Sequence, residues 1–263
     1  MIRITVVTIT YNAAAVLQRT LDSILRQTWP YVEHVVVDGG SKDNTVKMAE
    51  AYQTVVAATH PEWKVKIKSE PDGGLYDAMN KGLERTTGDY VVFMNAGDCF
   101  HDPQTLGTVA AHADRDPHPA VIYGHTDVTD NEGNFLYPRR LQPPEHLTWK
   151  SFRQGMLVCH QAFYARTDIA KAIRYDLKYR YSADVKWCIE VMKEASRRQL
   201  SLVNTHAVLC CYQREGSTTA HHRASLWERF RVMGEEYGWI TAVAMHCWFV
   251  VRAVTSRAKK KES

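Results

Sequence analysis

The chain has 263 residues, of which 45% are hydrophobic and 24% charged. It is therefore an ordinary globular composition, with enough length for one sizeable core, or one domain and an appendage. Its formal net charge of +4 lies wholly in the last stretch: residues 223–263 hold eight Lys/Arg against four Glu, and the first 222 residues balance. The six cysteines form no C-x-x-C pair, so spacing supports neither a zinc nor a disulfide framework, and a reducing, cytoplasmic setting is expected.

In chain order, Met1 to Val7 reads as the start of a first strand over residues 2–9, not as a basic leader with a cleavage site. Asn12 reads as the N-cap of a helix in which Val16, Leu17, Leu21, Ile24 and Leu25 recur at helical spacing until Trp29-Pro30. A second strand, His34–Val37, ends in Asp38-Gly39-Gly40-Ser41, and a helix is predicted from about Asp43 to Ala58. Val65–Lys68 alternates like a more exposed edge strand. After the turn Pro71-Asp72-Gly73-Gly74, Leu75, Met79 and Leu83 mark a short helix before the strand Tyr90–Met94. This alternation predicts an α/β fold with a mostly parallel sheet covered on both faces.

Beyond Pro103 the pattern predicts a helix near Gln104–Ala113 and a strand at Ala120–Tyr123. A hairpin turn at residues 130–134 should lead into Phe135–Arg140. Met156–Tyr164 reads as a strand, Ala183–Ser196 as a helix and Leu202–Tyr212 as a last strand. The expected organisation is one domain over residues 1–220, in two halves at 1–100 and 101–220, followed by a helical, basic tail at 221–263. In that tail, Trp239–Val251 is too short to span a bilayer, which needs roughly 20 apolar residues. Its aromatic residues and basic end fit an amphipathic helix lying on an anionic membrane, or else packing on the domain or on a second copy.

Four carboxylates draw attention. Asp38, Asp72 and Asp98 each follow a predicted strand of one sheet and so should converge along one edge with Thr8, Thr10 and Tyr11; Asp184 comes later. Asp98 has two readings: a ligand for a divalent cation that also meets two phosphate oxygens, or the cap of the helix after Pro103. The first turn, Thr8-Ile9-Thr10-Tyr11-Asn12-Ala13, has no glycine, which excludes a dinucleotide-binding fingerprint, and no Walker-type loop occurs.

The strings Val6-Val7-Thr8-Ile9-Thr10-Tyr11-Asn12, His34 to Thr45, Glu70 to Gly82 and Asn95-Ala96-Gly97-Asp98 resemble a family 2 glycosyltransferase with the GT-A fold. The third string resembles the subgroup acting in colanic-acid and exopolysaccharide assembly. That resemblance implies base and ribose contacts at Thr8, Tyr11 and Asp38, with Asp72 lining the pocket. It implies that Asp98 binds Mn²⁺ or Mg²⁺ on the donor diphosphate, as the remaining member of a D-x-D element whose other positions are Asn95 and Gly97. Met79 stands where the family often has arginine, and Lys81 is the candidate replacement cation. Asp184 matches the catalytic base of an inverting transfer. His160 and Gln161 match a motif on the acceptor side, against the alternative that His160 is a core histidine on a strand. Ser217 and His221 lie in a candidate lid over the diphosphate.

The implied partners are a nucleotide-diphospho-sugar, a saccharide acceptor carried on a lipid diphosphate and an anionic membrane at its inner face; nucleic acid is not among them, and a homo-oligomer is left open. Rival readings are a sugar nucleotidyltransferase, disfavoured by the missing glycine-rich loop, and a nucleotide-binding scaffold subunit of a glycosyltransferase complex, disfavoured by the retained Asp184.

Overall fold

The computed structural model describes residues 1–115, 117–214 and 222–259. Strands β1 (Ile4–Thr10) and β2 (Val32–Asp38) are buried at every position, as runs covered on both faces of a parallel sheet must be. They pair in parallel, and β1 also takes β4 (Tyr90–Phe93) as a parallel neighbour on its other side. The half-exposed strand β3 (Lys64–Ser69) closes the edge against β2, as its alternation predicts. The order β3-β2-β1-β4 reverses direction between β1 and β4, so the C-terminal ends of these two strands open a crevice.

Helices α1 (Ala14–Leu25), α2 (Thr45–Thr59) and α3 (Leu75–Arg85) connect these strands. Asn12 is not the N-cap of α1: it takes a left-handed conformation, φ 47°, and Ala13 occupies the cap position without a side-chain bond. The orphan N–H groups of Ala13 and Ala14 donate instead to Thr45 Oγ1 and Asp43 Oδ2, from the loop after β2. Asn12 Oδ1 accepts from the Lys42 N–H at 2.8 Å, so the two strand-end loops are tied together.

The remaining strands extend the sheet in the order β4-β8-β6-β9-β5. They are β5 (Cys99–Phe100), β6 (Val121–Thr129), β8 (Phe163–Arg166) and β9 (Leu202–Gln213), with β7 (Phe135–Pro138) forming a hairpin on β6. Helices α4 (Thr105–Ala113), α5 (Thr167–Ala170) and α6 (Ala183–Arg197) pack around them. The strand expected at Met156–Tyr164 is absent; the chain runs through short 3-10 turns at Trp149–Gln154 and His160–Ala162 before β8 begins. Arg139 explains the difference, because its guanidinium donates to the carbonyls of Met156 and Leu157. Those backbone groups are satisfied by a side chain rather than by a neighbouring strand.

Beyond the first 220 residues come α7 (His222–Tyr237) and α8 (Trp239–Lys259), joined by Gly238 in a left-handed turn, φ 87°. The N–H of Gly238 closes on the Gly234 carbonyl at 3.0 Å, and the Trp239 ring fills the space where a Gly234 side chain would stand. Helix α7 is not a detached tail. Val232 and Ser225 are buried, Glu228 accepts the N–H groups of Arg180 and Tyr181, and Glu236 pairs with Lys186 and Lys193 of α6. The face of α8 is different: Trp239, Ile240, Val243 and Trp248 are each more than half exposed. Among the described residues no helix is long and apolar enough to cross a membrane.

Candidate active site

The crevice is lined first by Tyr11, Gly39 and Asp72. Tyr11, just past β1, is 66% exposed, and its ring lies beside Gly39. A Cβ on Gly39 would stand 2.5 Å from Asp72 Oδ2 and 3.3 Å from the Tyr11 ring, so glycine is what leaves this gap open. Asp72 Oδ1 accepts the Gly74 N–H at 2.8 Å, and its other oxygen has no hydrogen-bond partner among the described residues. A flat ring beside an outward acceptor is an arrangement that a nucleobase can stack on and donate to.

Three residues expected to touch a nucleotide are buried and hydrogen-bonded within the protein. Asp38 is 1% exposed and accepts from Thr10 Oγ1, Ser41 Oγ, Ser69 Oγ and the N–H groups of Gly40 and Ser41. Five donors fill the roughly four lone-pair directions of a carboxylate. Burial pushes this carboxyl up, but the bonds from Ser41 and Ser69 outweigh burial and hold it below the ordinary range. Thr10 is consumed in the same network. Thr8 is fully buried, 2.9 Å from His34 Nε2, while Nδ1 of that ring meets the Tyr52 hydroxyl at 3.1 Å. Burial drives His34 down to about 3, so it is a neutral core histidine. Asp38, Thr10 and Thr8 therefore shape the strand ends, and Tyr11 and Asp72 present their chemistry to the crevice.

At the far wall the loop after β4 meets the 3-10 turn before β8. Gln161 donates its amide to Asp98 Oδ2 at 2.6 Å. Burial pushes the Asp98 carboxyl up to about 6, against the pull of Gln161, His160 and Arg19 of α1. Asn95 Nδ2 lies 3.2 Å from His160 Nε2, and His160 Nδ1 lies 3.4 Å from Asp184 Oδ2. The pairing assigns one tautomer: Nδ1–H faces the carboxylate and Nε2 accepts from Asn95. The Asn95 Oδ1 is then a buried acceptor with no partner among the described residues.

Asp184, in the first turn of α6, also accepts the Tyr76 hydroxyl at 3.0 Å. Burial raises this carboxyl, yet His160, Arg229 and Tyr76 together hold it below the ordinary range, so it stays ionised at neutral pH. Tyr76, from α3, and Arg229, from α7, carried no signal in the sequence, because each is brought to Asp184 from about 108 and 45 residues away. The Arg229 Nε is buried and has no hydrogen-bond partner among the described residues.

The structure thus gathers Asn95, Asp98, His160, Gln161 and Asp184 at one wall and Tyr11 and Asp72 at the other. Lys81 is bound into its own turn, donating to the Pro71 carbonyl at 2.9 Å and pairing with Asp77 at 3.2 Å, so it braces the loop that carries Asp72. Ser217 and His221 lie outside the described residues. Asp98 does not cap α4; the N–H beside that helix start bonds to Asp102. Nor does Asp98 belong to any group of three His, Cys, Asp or Glu ligands among the described residues. One buried carboxylate fits a Mg²⁺ or Mn²⁺ ion that brings phosphate oxygens with it, and does not fit a cation held by protein ligands alone.

Comparison with known proteins places the chain in a family. A family model described as "Glycosyl transferase family 2" matches residues 5–174. A PGL/p-HBAD biosynthesis glycosyltransferase of Mycobacterium bovis is 36% identical over 176 residues, 66% of this chain and 64% of the relative. The chain thus aligns with just under two thirds of that relative's length. A glycosyltransferase of Mycobacterium tuberculosis is 29% identical over 88% of this chain and 83% of its own length. Among solved structures, S. aureus TarS in complex with UDP-GlcNAc superposes with a TM-score of 0.69 at 21% identity, covering 88% of this chain and 64% of that one. The mannosyltransferase PcManGT from Pyrobaculum calidifontis, in complex with GDP-Man and Mn2+, gives 0.60 at 18% identity over 99% of this chain and 80% of its own. These two likenesses show the fold.

The raised Asp98 carboxyl makes a prediction about stability. The folded state binds this proton up to pH about 6, and the unfolded chain releases it near pH about 4, so stability is lost as pH rises between those values. Asp98→Asn removes that loss. In urea denaturation it should be more stable than wild type by about 1–3 kcal/mol at pH 7.5 and no more stable at pH 4, since a tenfold change in proton affinity is worth about 1.4 kcal/mol. A variant less stable than wild type at pH 7.5 would contradict this reading of Asp98.

Proposed function

Because the chain belongs to glycosyl transferase family 2, we propose that it is an inverting, metal-dependent glycosyltransferase that moves one sugar from a nucleotide-diphospho-sugar to a saccharide acceptor. The observation that carries this reading is the ionised Asp184, oriented by His160 and Tyr76, with Asn95 on the far side of the His160 ring and Asp98 bonded to the adjacent Gln161.

Tyr11 stacks on the donor base and Asp72 accepts its N–H. Asn95 fixes the far nitrogen of the His160 ring at the same wall. Asp184 accepts the proton of the acceptor hydroxyl as that oxygen attacks the anomeric carbon, so no covalent intermediate is needed. The Tyr76 hydroxyl and the His160 Nδ1–H hold the carboxylate in one orientation, and positioning of this kind accounts for a large share of rate. Arg229 adds positive charge beside Asp184 and helps keep that carboxylate ionised. Mn²⁺ or Mg²⁺, held by Asp98 together with the phosphate oxygens, would supply Lewis-acid stabilisation of that leaving group.

Structural neighbours bound to UDP-GlcNAc and GDP-Man make uridine and guanosine donors the first to test. A basic C-terminal stretch beside the exposed aromatic face of α8 supports a peripheral position on an anionic membrane, with a lipid-diphosphate-linked acceptor in exopolysaccharide assembly. Because α7 carries Arg229 into the site, removing the whole helical end would also damage the pocket, and point substitutions are the cleaner probe.

A thermal-shift panel of UDP-, GDP- and dTDP-sugars, with and without Mn²⁺, should give stabilisation by one nucleotide class that grows with the ion. Asp184→Asn should keep that shift and lose at least about 10²-fold in transfer rate. Full transfer by the variant would remove the proposed base. Separately, the wild type should sediment with phosphatidylglycerol vesicles and not with phosphatidylcholine vesicles, and a Trp239→Ser, Trp248→Ser double variant should lose half or more of that binding. Equal partitioning by both proteins would remove the membrane face.

A further inference from the structure

Strands β5, β6 and β9 bring together a second set of ligating side chains, none of which the proposed transfer uses. Cys211 of β9 stands opposite Cys99 of β5 and beside Asp127 of β6 in the ladder registers. His101 follows β5 directly, and its N–H bonds to the Leu209 carbonyl at 3.3 Å. Main-chain pairing therefore fixes where all three side chains start.

Two observations set this cluster apart from a chance meeting on the surface. Asp127 is 8% exposed, yet its carboxylate takes no hydrogen bond from any described residue. Its one ion partner is His101 Nδ1 at 3.8 Å, beyond hydrogen-bond reach. A carboxylate so placed, with no hydrogen bond from the described residues, has its lone pairs free to ligate a cation. The second observation is the spacing. Cys211 Sγ lies 3.6 Å from His101 Nδ1, and the three ligand atoms lie within 4.8 Å of one another. Zinc–nitrogen bonds of about 2.0–2.1 Å and zinc–sulfur bonds of about 2.3 Å, at a tetrahedral angle, put N and S about 3.6 Å apart and N and O about 3.3 Å apart. The first edge is already met, and the second needs a small approach by Asp127.

We propose that His101 Nδ1, a carboxylate oxygen of Asp127 and Cys211 Sγ bind one borderline divalent cation of the zinc class, with water in the fourth position. The metal–sulfur bond forms as the Cys211 thiol gives its proton to solvent. A thiolate and an imidazole select this class of ion over Mg²⁺ and Mn²⁺, which prefer all-oxygen shells, so the site is chemically distinct from Asp98. Cys99, whose sulfur instead takes the Arg19 Nε–H at 3.1 Å, is not a ligand. The consequence is structural. The segment running from Asp98 through β5 to His101 is clamped to β6 and β9 at one point, which holds the Asp98 loop in place.

The test uses Co²⁺ alone as a spectroscopic probe, in reducing buffer and in a Cys247→Ser background that removes the exposed thiol. One equivalent should give tetrahedral visible bands and a thiolate-to-cobalt charge-transfer band that one equivalent of Zn²⁺ abolishes. Cys211→Ser should remove the charge-transfer band. His101→Ala, at a partly exposed position where folding is not at stake, should weaken Co²⁺ binding at least about tenfold. Cys99→Ser and Asp98→Asn should leave both bands intact. No charge-transfer band in the parent protein, a band that survives Cys211→Ser, or unchanged affinity in His101→Ala would each overturn the proposal.

Discussion

The site depends on one pairing, the His160 imidazole against the Asp184 carboxylate. A mostly buried carboxylate is stable as an anion only when charge or hydrogen bonds compensate it. Here the compensation comes from four separate parts of the chain. His160 stands on a 3-10 turn, Tyr76 on α3 and Arg229 on α7, and Asn95 on the loop after β4 fixes the far nitrogen of the histidine ring. Each partner also fixes a piece of the fold: α3 against β1 and β2, the turn against β4, and α7 against α6. Residues from before and after position 100 therefore meet around Asp184: Tyr76 and Asn95 come from the first part of the chain, His160 and Arg229 from the second.

Much of the frame was legible because its signal is local. Runs rich in Val, Ile and other β-forming residues within 4–10, 32–38 and 90–93 announce buried parallel strands, and helical spacing places α1, α3 and α6. The strand-end positions of Asp72 and Asp98 follow from that alternation alone. What the sequence pattern does not carry is non-local. Thr8 and Asp38 stand at the right strand ends, but their hydroxyl and carboxylate are spent on His34, Ser41 and Ser69, and strand periodicity cannot reveal that. Asn12 has a capping side chain, yet Asp43 and Thr45 do the capping from the neighbouring loop. The apolar run before His160 reads as a strand until Arg139, from the β6–β7 hairpin, takes up its carbonyls.

The same lesson applies to the cations. Charge counting puts the excess basic residues at the C-terminal end and reads them as a surface for an anionic partner. The structure brings one of them, Arg229, close enough to Asp184 to lower its carboxyl, while the aromatic face of α8 remains exposed. One helical hairpin thus serves the pocket with α7 and presents apolar side chains outward with α8. Cysteine spacing likewise gave no sign of His101, Asp127 and Cys211, because sheet register rather than sequence motif assembles them.

The most direct measurement is the pH profile of kcat/KM in the wild type and in His160→Gln, with the donor that stabilises the protein. His160 helps hold Asp184 below the ordinary carboxylate range, so its removal raises that carboxyl, and the base is protonated at higher pH. The acidic limb of the profile should move upward in the variant. An acidic limb that does not move would mean that His160 does not govern the ionisation of Asp184, and the account of the site built on their pairing would be wrong.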